Sequence, residues 1–183
     1  MNEESGIAAR FERSLALLVG LAAIVAASVS LYQASLAREQ ARASAWPYLM
    51  ISGSLSYGKP FSLAMYNRGI GPARIRTVLV TVDDKPVASW NDVIRTLSDS
   101  AVAPYEYSYI GAGSVMSAGT VDTLLTIPAG NQAYKVWKES GKRLSVSVCY
   151  CSVYDECWVT GQNLREAQSI KLCPSVNRPV FTQ

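Results

Sequence analysis

An uninterrupted apolar stretch near the amino terminus constrains this chain more than any other feature. Residues 15–32, LALLVGLAAIVAASVSLY, contain no charged side chain. An α-helix needs about 20 mainly apolar residues to cross the hydrocarbon core of a bilayer. We therefore predict a short tail over residues 1–14, with Ser14 as the N-cap of a transmembrane helix that begins at residue 15.

This helix is expected to continue beyond the membrane as a stalk. Residues 33–45 consist almost wholly of good helix formers, whereas Pro47 disfavours helical backbone at Trp46. The predicted helix therefore covers residues 15–45, and a single domain follows over residues 46–183.

Small residues follow one line along the predicted helix, at alternating steps of four and three. This spacing forms the seam of a coiled coil, and small residues let helices approach closely in lipid. The small-residue line comprises Ala16, Gly20, Ala23, Ala27, Ser30, Ala34, Ala37, Ala41 and Ser44. Composition is the alternative explanation, because the helix is rich in Ala, Ser and Gly. We expect the line to pack on another transmembrane helix, from a second copy or from a different membrane protein.

The orientation of the span is weakly determined by its flanking charges. Arg10 and Arg13 precede the span and Arg38 and Arg42 follow it, so the positive-inside rule is nearly balanced. A cleaved signal peptide over residues 1–37 is the competing interpretation. The acidic leader disfavours it.

Histidine is absent from all 183 residues. This excludes Ser-His-Asp and Cys-His catalysis and every zinc site that contains histidine. No G-x-S-x-G nucleophile pattern occurs. The net charge is +3, with scattered charges and no basic run, which disfavours a nucleic-acid partner. We expect a protein that is not an enzyme and that needs no cofactor.

Short strands separated by turn signals dominate the chain after residue 46. Two short helices are predicted at residues 92–97 and 132–139, capped by Asn91 and Asn131. The predicted strands cover residues 48–57, 61–66, 74–82, 87–90, 105–110, 143–152, 157–160 and 169–173, with one or two more over residues 115–127, the better of them at 120–127. This pattern is typical of a mainly β fold, and we predict an antiparallel β-sandwich, with a small barrel as the alternative.

Four cysteines, Cys149, Cys151, Cys157 and Cys173, lie in the last 35 residues. An even number in a membrane-anchored chain predicts two disulfides and an oxidising compartment. Cys151 and Cys157 would face each other across a hairpin, leaving Cys149 for Cys173, and this is the favoured pairing of three. A four-thiolate zinc site is the rival, although C-x2-C spacing is missing, and free buried thiols are the third possibility.

Two further groups of side chains are candidate sites. Tyr105, Tyr107 and Tyr109 alternate, so they could form one aromatic binding face, although covered sheet faces also look like this. The acidic pairs at residues 83–84 and 155–156 lie at predicted turns. We interpret them as solvated turn residues rather than as metal ligands or acid-base pairs.

Three stretches resemble a group of uncharacterised bacterial proteins with a single membrane anchor. They are NRGIGPAR at residues 67–74, CYCSVYDECW at residues 149–158 and REQARASAWPYL at residues 38–49. The resemblance implies an immunoglobulin-like sandwich on one N-terminal span and supplies no catalytic residues.

Taken together, these features predict an accessory or structural subunit of a complex in the inner (cytoplasmic) membrane. Its single span would dock on a partner helix within the lipid bilayer, and its domain would lie on the periplasmic side. The alternative is a membrane-anchored ligand-binding or sensory module that uses the tyrosine face.

Overall fold

The protein is described here by a computed structural model over residues 3–98, 104–174 and 181. The chain divides into two compact units, Met1–Ala43 and Ser44–Gln183.

One long helix, α1 (Glu3–Ser44), accounts for the first unit. Its section Leu15–Ser44 is long and apolar enough to cross a membrane, and an 18-residue window within it has a mean hydropathy of 2.3. Membrane spans and signal sequences share these properties. The helix begins well before Ser14, so the predicted N-cap at that residue is wrong. The leader is itself built largely of Glu, Ala and Arg, which favour helix and extend it towards the amino terminus.

The two serine hydroxyls in the apolar part of α1 have acceptors inside the helix. Ser28 Oγ donates to the carbonyl oxygen of Ile24 at 2.9 Å, and Ser30 Oγ donates to that of Ala26 at 2.9 Å. An unpaired hydroxyl is costly in hydrocarbon. These serines therefore do not oppose insertion into a bilayer.

The second unit is mainly β. Its strands in the described residues are β1 (Leu49–Ser54), β2 (Phe61–Asn67), β3 (Ala73–Val82), β4 (Lys85–Pro86), β5 (Val115–Met116), β6 (Val121–Ile127), β7 (Leu144–Cys151), β8 (Cys157–Gly161) and β9 (Gln168–Ile170). Two helices, α2 (Trp90–Ser98) and α3 (Asn131–Arg143), lie between strands. One sheet has the order β1-β2-β6, and the other has the order β4-β3-β7-β8-β9 with β5 also paired to β3. Every pairing is antiparallel, which confirms the predicted class of sheet.

Both sheets and both helices contribute side chains to one hydrophobic core. Strand β7 is an example. Its alternate residues Leu144, Val146, Val148 and Tyr150 are all buried, as the period-two pattern predicts. The other main contributions come from β2 with Phe61, Leu63 and Met65, from α2 with Val93, Ile94 and Leu97, and from α3 with Val136.

Local capping and turn chemistry move the predicted boundaries around α2. The predicted strand at residues 87–90 is replaced by the two-residue β4, because Asp83 and Asp84 form a tight turn with φ of 50° and 61°. Ser89, rather than Asn91, caps α2, since its hydroxyl oxygen accepts the Asp92 N–H at 3.3 Å. Asn131 is likewise not a cap but lies within α3, and the preceding residue is Gly130.

The predicted strand at residues 105–110 is also wrong. Only Glu106 pairs there, through two backbone hydrogen bonds of 3.0 and 2.8 Å with Thr126 at the edge of β6. Alternating tyrosines suit a pleated strand, but a single bridge does not continue into a ladder.

The buried amide of Asn67 joins three segments that are distant in the sequence. Its Oδ1 accepts the N–H groups of Tyr48 at 3.2 Å and Gly69 at 3.1 Å. Its Nδ2 donates to the carbonyl oxygens of Gly71 at 2.9 Å, Met116 at 3.1 Å and Ser117 at 3.2 Å. The side chain thereby ties the segment before β1 and the end of β5 to the loop that follows β2.

The same loop requires glycine for close approach. A Cβ at Gly71 would overlap the carbonyl group of Ala45, and one at Gly69 would overlap the backbone nitrogen of Tyr48. Neither glycine has a positive φ, so close approach rather than backbone conformation requires them. The loop instead wraps the backbone of residues 45–48, and the N–H groups of Ile70 and Gly71 donate to the Trp46 carbonyl oxygen at 3.0 and 3.1 Å.

We predict that Asn67→Ala lowers the free energy of unfolding by about 3 kcal/mol or more, because it leaves several buried backbone groups without a partner. Urea denaturation of the full-length chain in detergent, followed by tryptophan fluorescence, would measure the change. Asn163→Ala, at an exposed turn residue, is the matched control and should cost less than about 0.5 kcal/mol. Equal losses in the two variants would contradict the assigned role of Asn67.

Candidate functional site

The four cysteines form two neighbouring disulfides at the end of β7. Cys149 is joined to Cys173 with a Cα–Cα distance of 5.8 Å, and Cys151 is joined to Cys157 with a Cα–Cα distance of 4.0 Å. This is the pairing that the sequence favoured. Cys151 and Cys157 are direct partners across the β7–β8 ladder, which explains why they meet.

The two disulfides touch each other. Cys149 and Cys151 are two residues apart on β7 and therefore point to the same face of the sheet, opposite the core. Cys173 brings the chain after β9 over this face, and its Sγ lies 3.8 Å from Cys151 Sγ. Cys149, Cys151 and Cys157 are buried and Cys173 is half-buried, so the four sulfurs form one compact cluster, named here the sulfur cluster.

Two arginines and one aspartate border the sulfur cluster. Strand β3 lies beside β7, and a bulge between Ile75 and Thr77 inserts Arg76 next to Arg74. Arg74 Nη1 and Arg76 Nη2 both contact Asp155 Oδ1, at 3.2 and 3.0 Å. These exposed pairs contribute little stability in water, and they place two guanidinium groups and one carboxylate at the edge of the sulfur cluster.

An open cleft of about 460 Å³ gives access to this region. Three of the cysteines line it, namely Cys151, Cys157 and Cys173, together with Arg76 and the chain at Leu172. The sulfur cluster is therefore buried within the domain but reachable from solvent on one side.

Tyr150 lies between the two cysteines of β7 in sequence and on the opposite face in space. Its ring stacks on Trp158 with centroids 5.8 Å apart, and its hydroxyl oxygen accepts the Leu49 N–H at 3.2 Å. Burial raises the pKa of the Tyr150 phenol to about 12, against the opposing effect of the Leu49 hydrogen bond. This contact connects β7 to β1, which belongs to the other sheet.

The predicted tyrosine face is only partly assembled. The rings of Tyr105 and Tyr107 lie 5.9 Å apart between centroids, and Tyr107 is 48 % exposed. Tyr109 is exposed, but the end of its ring lies against Gly111. Burial, the neighbouring Tyr107 and then Asp92 raise the pKa of the Tyr105 phenol. The structure thus brings two of the three tyrosines together.

The acidic pairs serve as turn residues, in line with their structural interpretation. Asp83 and Arg143 form a two-bond ion pair, with Nε–Oδ1 and Nη2–Oδ2 distances of 2.9 and 2.7 Å. The hydrogen bond from Arg143 holds the pKa of the Asp83 carboxyl below its usual range. Asp155 has a φ of 59° in the turn between β7 and β8.

The tryptophans of the domain differ in how far they are buried. Trp90 is buried in the core and packs edge-on against Phe181 at 5.0 Å, and Trp158 is half-buried. Trp137 is 42 % exposed and pairs with Tyr134, which is 54 % exposed, at 6.2 Å. Sequence reasoning missed this aromatic pair on α3, although the i, i+3 spacing in YKVW was a usable signal.

One S-x-x-K tetrad, at residues 56–59, was also missed. It lies between β1 and β2 as a reverse turn, in which the Lys59 N–H donates to the Ser56 carbonyl oxygen at 3.0 Å. The fully exposed Tyr57 and Gly58, with a φ of 67°, occupy the centre of that turn. The tetrad therefore forms the hairpin turn that connects β1 to β2.

The small-residue line lies entirely on α1, and its members Ala16 to Ala37 are exposed.

Comparison with protein-family models and with curated proteins gives no match for this chain.

We predict that the Cys149–Cys173 disulfide stabilises the domain more than Cys151–Cys157 does, because it closes the longer loop. The sequence separations are 24 and 6 residues. Loop-closure entropy then gives about 3.5 and about 2.4 kcal/mol respectively. Double serine variants of each pair, compared by urea denaturation, would measure the difference. A larger loss from the Cys151 and Cys157 pair would contradict the expectation.

We also predict that Tyr150→Phe removes the phenol that ionises near pH 12. In the folded state Tyr150 keeps its proton above about pH 10, where an unfolded tyrosine releases it, so stability falls between about pH 10 and pH 12. The fall attributable to Tyr150 is about 3 kcal/mol and should be absent in the variant. Ultraviolet titration of phenolate and denaturation at several pH values would test this. Tyr57→Phe, at a fully exposed ring, is the control.

Proposed function

We propose that this protein is a non-enzymatic accessory subunit of a membrane protein complex. Its apolar helix would anchor it in the membrane and dock on a partner helix, and its β domain would make protein contacts outside the cytoplasm. The proposal is carried by one observation: no residue in the apolar window of Leu15–Ser44 is buried within the chain.

The energetics of α1 support membrane docking. A helix that exposes large apolar side chains such as Leu17, Leu18 and Ile24 is unfavourable in water and favourable in lipid. Within lipid, close packing rather than hydrophobicity drives helix association, and Ala23 and Ala27 would allow such an approach. This reasoning favours a transmembrane anchor that remains attached over a signal sequence that is removed.

We further propose that the domain is an immunoglobulin-like sandwich. The strand order supports this: β1-β2-β6 corresponds to strands A-B-E of that fold, and β4-β3-β7-β8 corresponds to C′-C-F-G. The shared core and the link from Leu49 to Tyr150 between the sheets are consistent with two packed layers.

The two disulfides support an extracytoplasmic location for this domain. Disulfides persist in oxidising compartments, so a domain with both of them formed fits the periplasmic side of an inner membrane. The exposed aromatic residues Tyr134 and Trp137 provide the type of surface that protein interfaces use.

A second candidate function is a membrane-anchored ligand-binding or sensory module. The observation that favours it is the pair of Tyr105 and Tyr107, whose neighbouring rings could stack on a sugar or a planar ligand.

Native mass spectrometry on protein gently extracted from its own membranes would test the first proposal. We expect a second protein to accompany the 19.8 kDa chain. Ala23→Leu with Ala27→Leu should detach the partner, because the larger side chains separate the two helices. Ala22→Leu with Ala26→Leu makes the same chemical change off the small-residue line and should leave the complex intact.

Equal behaviour of the two double variants would contradict docking through the small-residue line. Multiples of 19.8 kDa alone would indicate self-association and exclude the hetero-complex. Tyr107→Ala separates the two candidates, since it should abolish ligand binding by a sensory module and leave membrane docking unchanged.

A further inference from the structure

We propose that the sulfur cluster is a redox-dependent metal site: when its two disulfides are reduced, Cys149, Cys151, Cys157 and Cys173 bind one soft divalent cation such as Zn²⁺. This inference goes beyond the proposed anchoring function and does not depend on it.

The distances between sulfurs carry the proposal. The Sγ atoms of Cys151, Cys157 and Cys173 all lie within 4.8 Å of one another. Cys149 lies outside that group of three, and its Sγ is bonded to Cys173 Sγ. In a tetrahedral zinc site with Zn–S bonds of about 2.3 Å, the sulfurs lie about 3.8 Å apart. The non-bonded distance from Cys151 Sγ to Cys173 Sγ is 3.8 Å, which matches that spacing.

The backbone holds the sulfurs together without the disulfides. Cys149 and Cys151 are fixed two residues apart on β7, and Cys157 lies opposite Cys151 in the β8 ladder. Strand β9 pairs with β8 and ends three residues before Cys173, which limits how far that residue can move. Reduction breaks two S–S bonds but none of these hydrogen bonds, so the thiols remain close enough to share one cation.

The donor atoms and the charges beside them define the class of ligand. Four thiolates without a nearby imidazole among the described residues favour a soft or borderline cation over Mg²⁺ or Ca²⁺. One divalent cation on four thiolates leaves a net charge of −2. The guanidinium group of Arg76, which lines the same cleft, can offset part of that charge, and the Asp155 carboxylate beside it opposes this effect.

A dithiol can serve as the reductant of the two protein disulfides. Each protein disulfide takes up two electrons and two protons, and each dithiol that supplies them becomes a disulfide. The four thiols then lose four protons as one cation binds, because thiolates are the ligating form. The site would thus hold disulfides in an oxidising compartment and a metal ion in a reducing one.

Cobalt(II) titration of the full-length chain in detergent would test this, after reduction with a phosphine that does not compete for metal. We expect one Co²⁺ per chain, with the intense visible absorption of tetrahedral thiolate coordination, and its displacement by Zn²⁺. The oxidised chain should give no such spectrum. Cys149→Ser should raise the dissociation constant at least tenfold, whereas Ser147→Ala on the same face of β7 should not change it.

Reduction of the disulfides can lower the stability of the domain, so the melting temperature of the reduced chain provides a second test. Stoichiometric Zn²⁺ should raise the melting temperature of the reduced chain, and Mg²⁺ should not. The proposal is overturned if the reduced chain gives no thiolate spectrum, if a chain with all four cysteines replaced by serine binds Co²⁺ equally well, or if Zn²⁺ leaves the melting temperature unchanged.

Discussion

The buried amide of Asn67 is the interaction on which the arrangement of the domain depends most. A buried amide is favourable only where its donors and acceptors all have partners, and Asn67 has backbone partners on both its oxygen and its nitrogen. Those partners come from the segment before β1, from the loop after β2 and from the end of β5. One side chain therefore holds together the segment before β1, the loop after β2 and the end of β5.

How far the sequence predicts this fold depends on whether the signal is local. Strand β7 was predictable, because its period-two pattern places Leu144 and Val146 in the core and its cysteines on the other face. The segment at residues 105–110 has an equally regular pattern, but only Glu106 finds a pairing partner. A regular alternation of side chains shows that a segment can form a strand. Whether the strand forms depends on the edge of a neighbouring strand with which it can pair. The cap of α2 moved from Asn91 to Ser89 because both residue types are good caps and their spacing does not distinguish them.

In the candidate site, too, local contacts can be predicted from the sequence and long-range contacts cannot. The pairing of Cys151 with Cys157 follows from a short hairpin, and the pairing of Cys149 with Cys173 follows once the first is made. The contact between the two disulfides does not follow, since it depends on the path of the chain after β9. The position of Arg76 beside the disulfides does not follow from the sequence either. It requires β3 to lie next to β7 and to contain a bulge.

The close approach of Gly69 and Gly71 to residues 45–48 has a mechanical consequence. The chain leaves α1 and passes at once beneath this loop, where the Trp46 carbonyl oxygen accepts two N–H groups and Pro47 is buried. A force pulling on the chain at Ala45 would therefore load these hydrogen bonds before it reached the ladder between β1 and β2. The loop that follows β2 therefore shields the start of β1 from tension applied at Ala45.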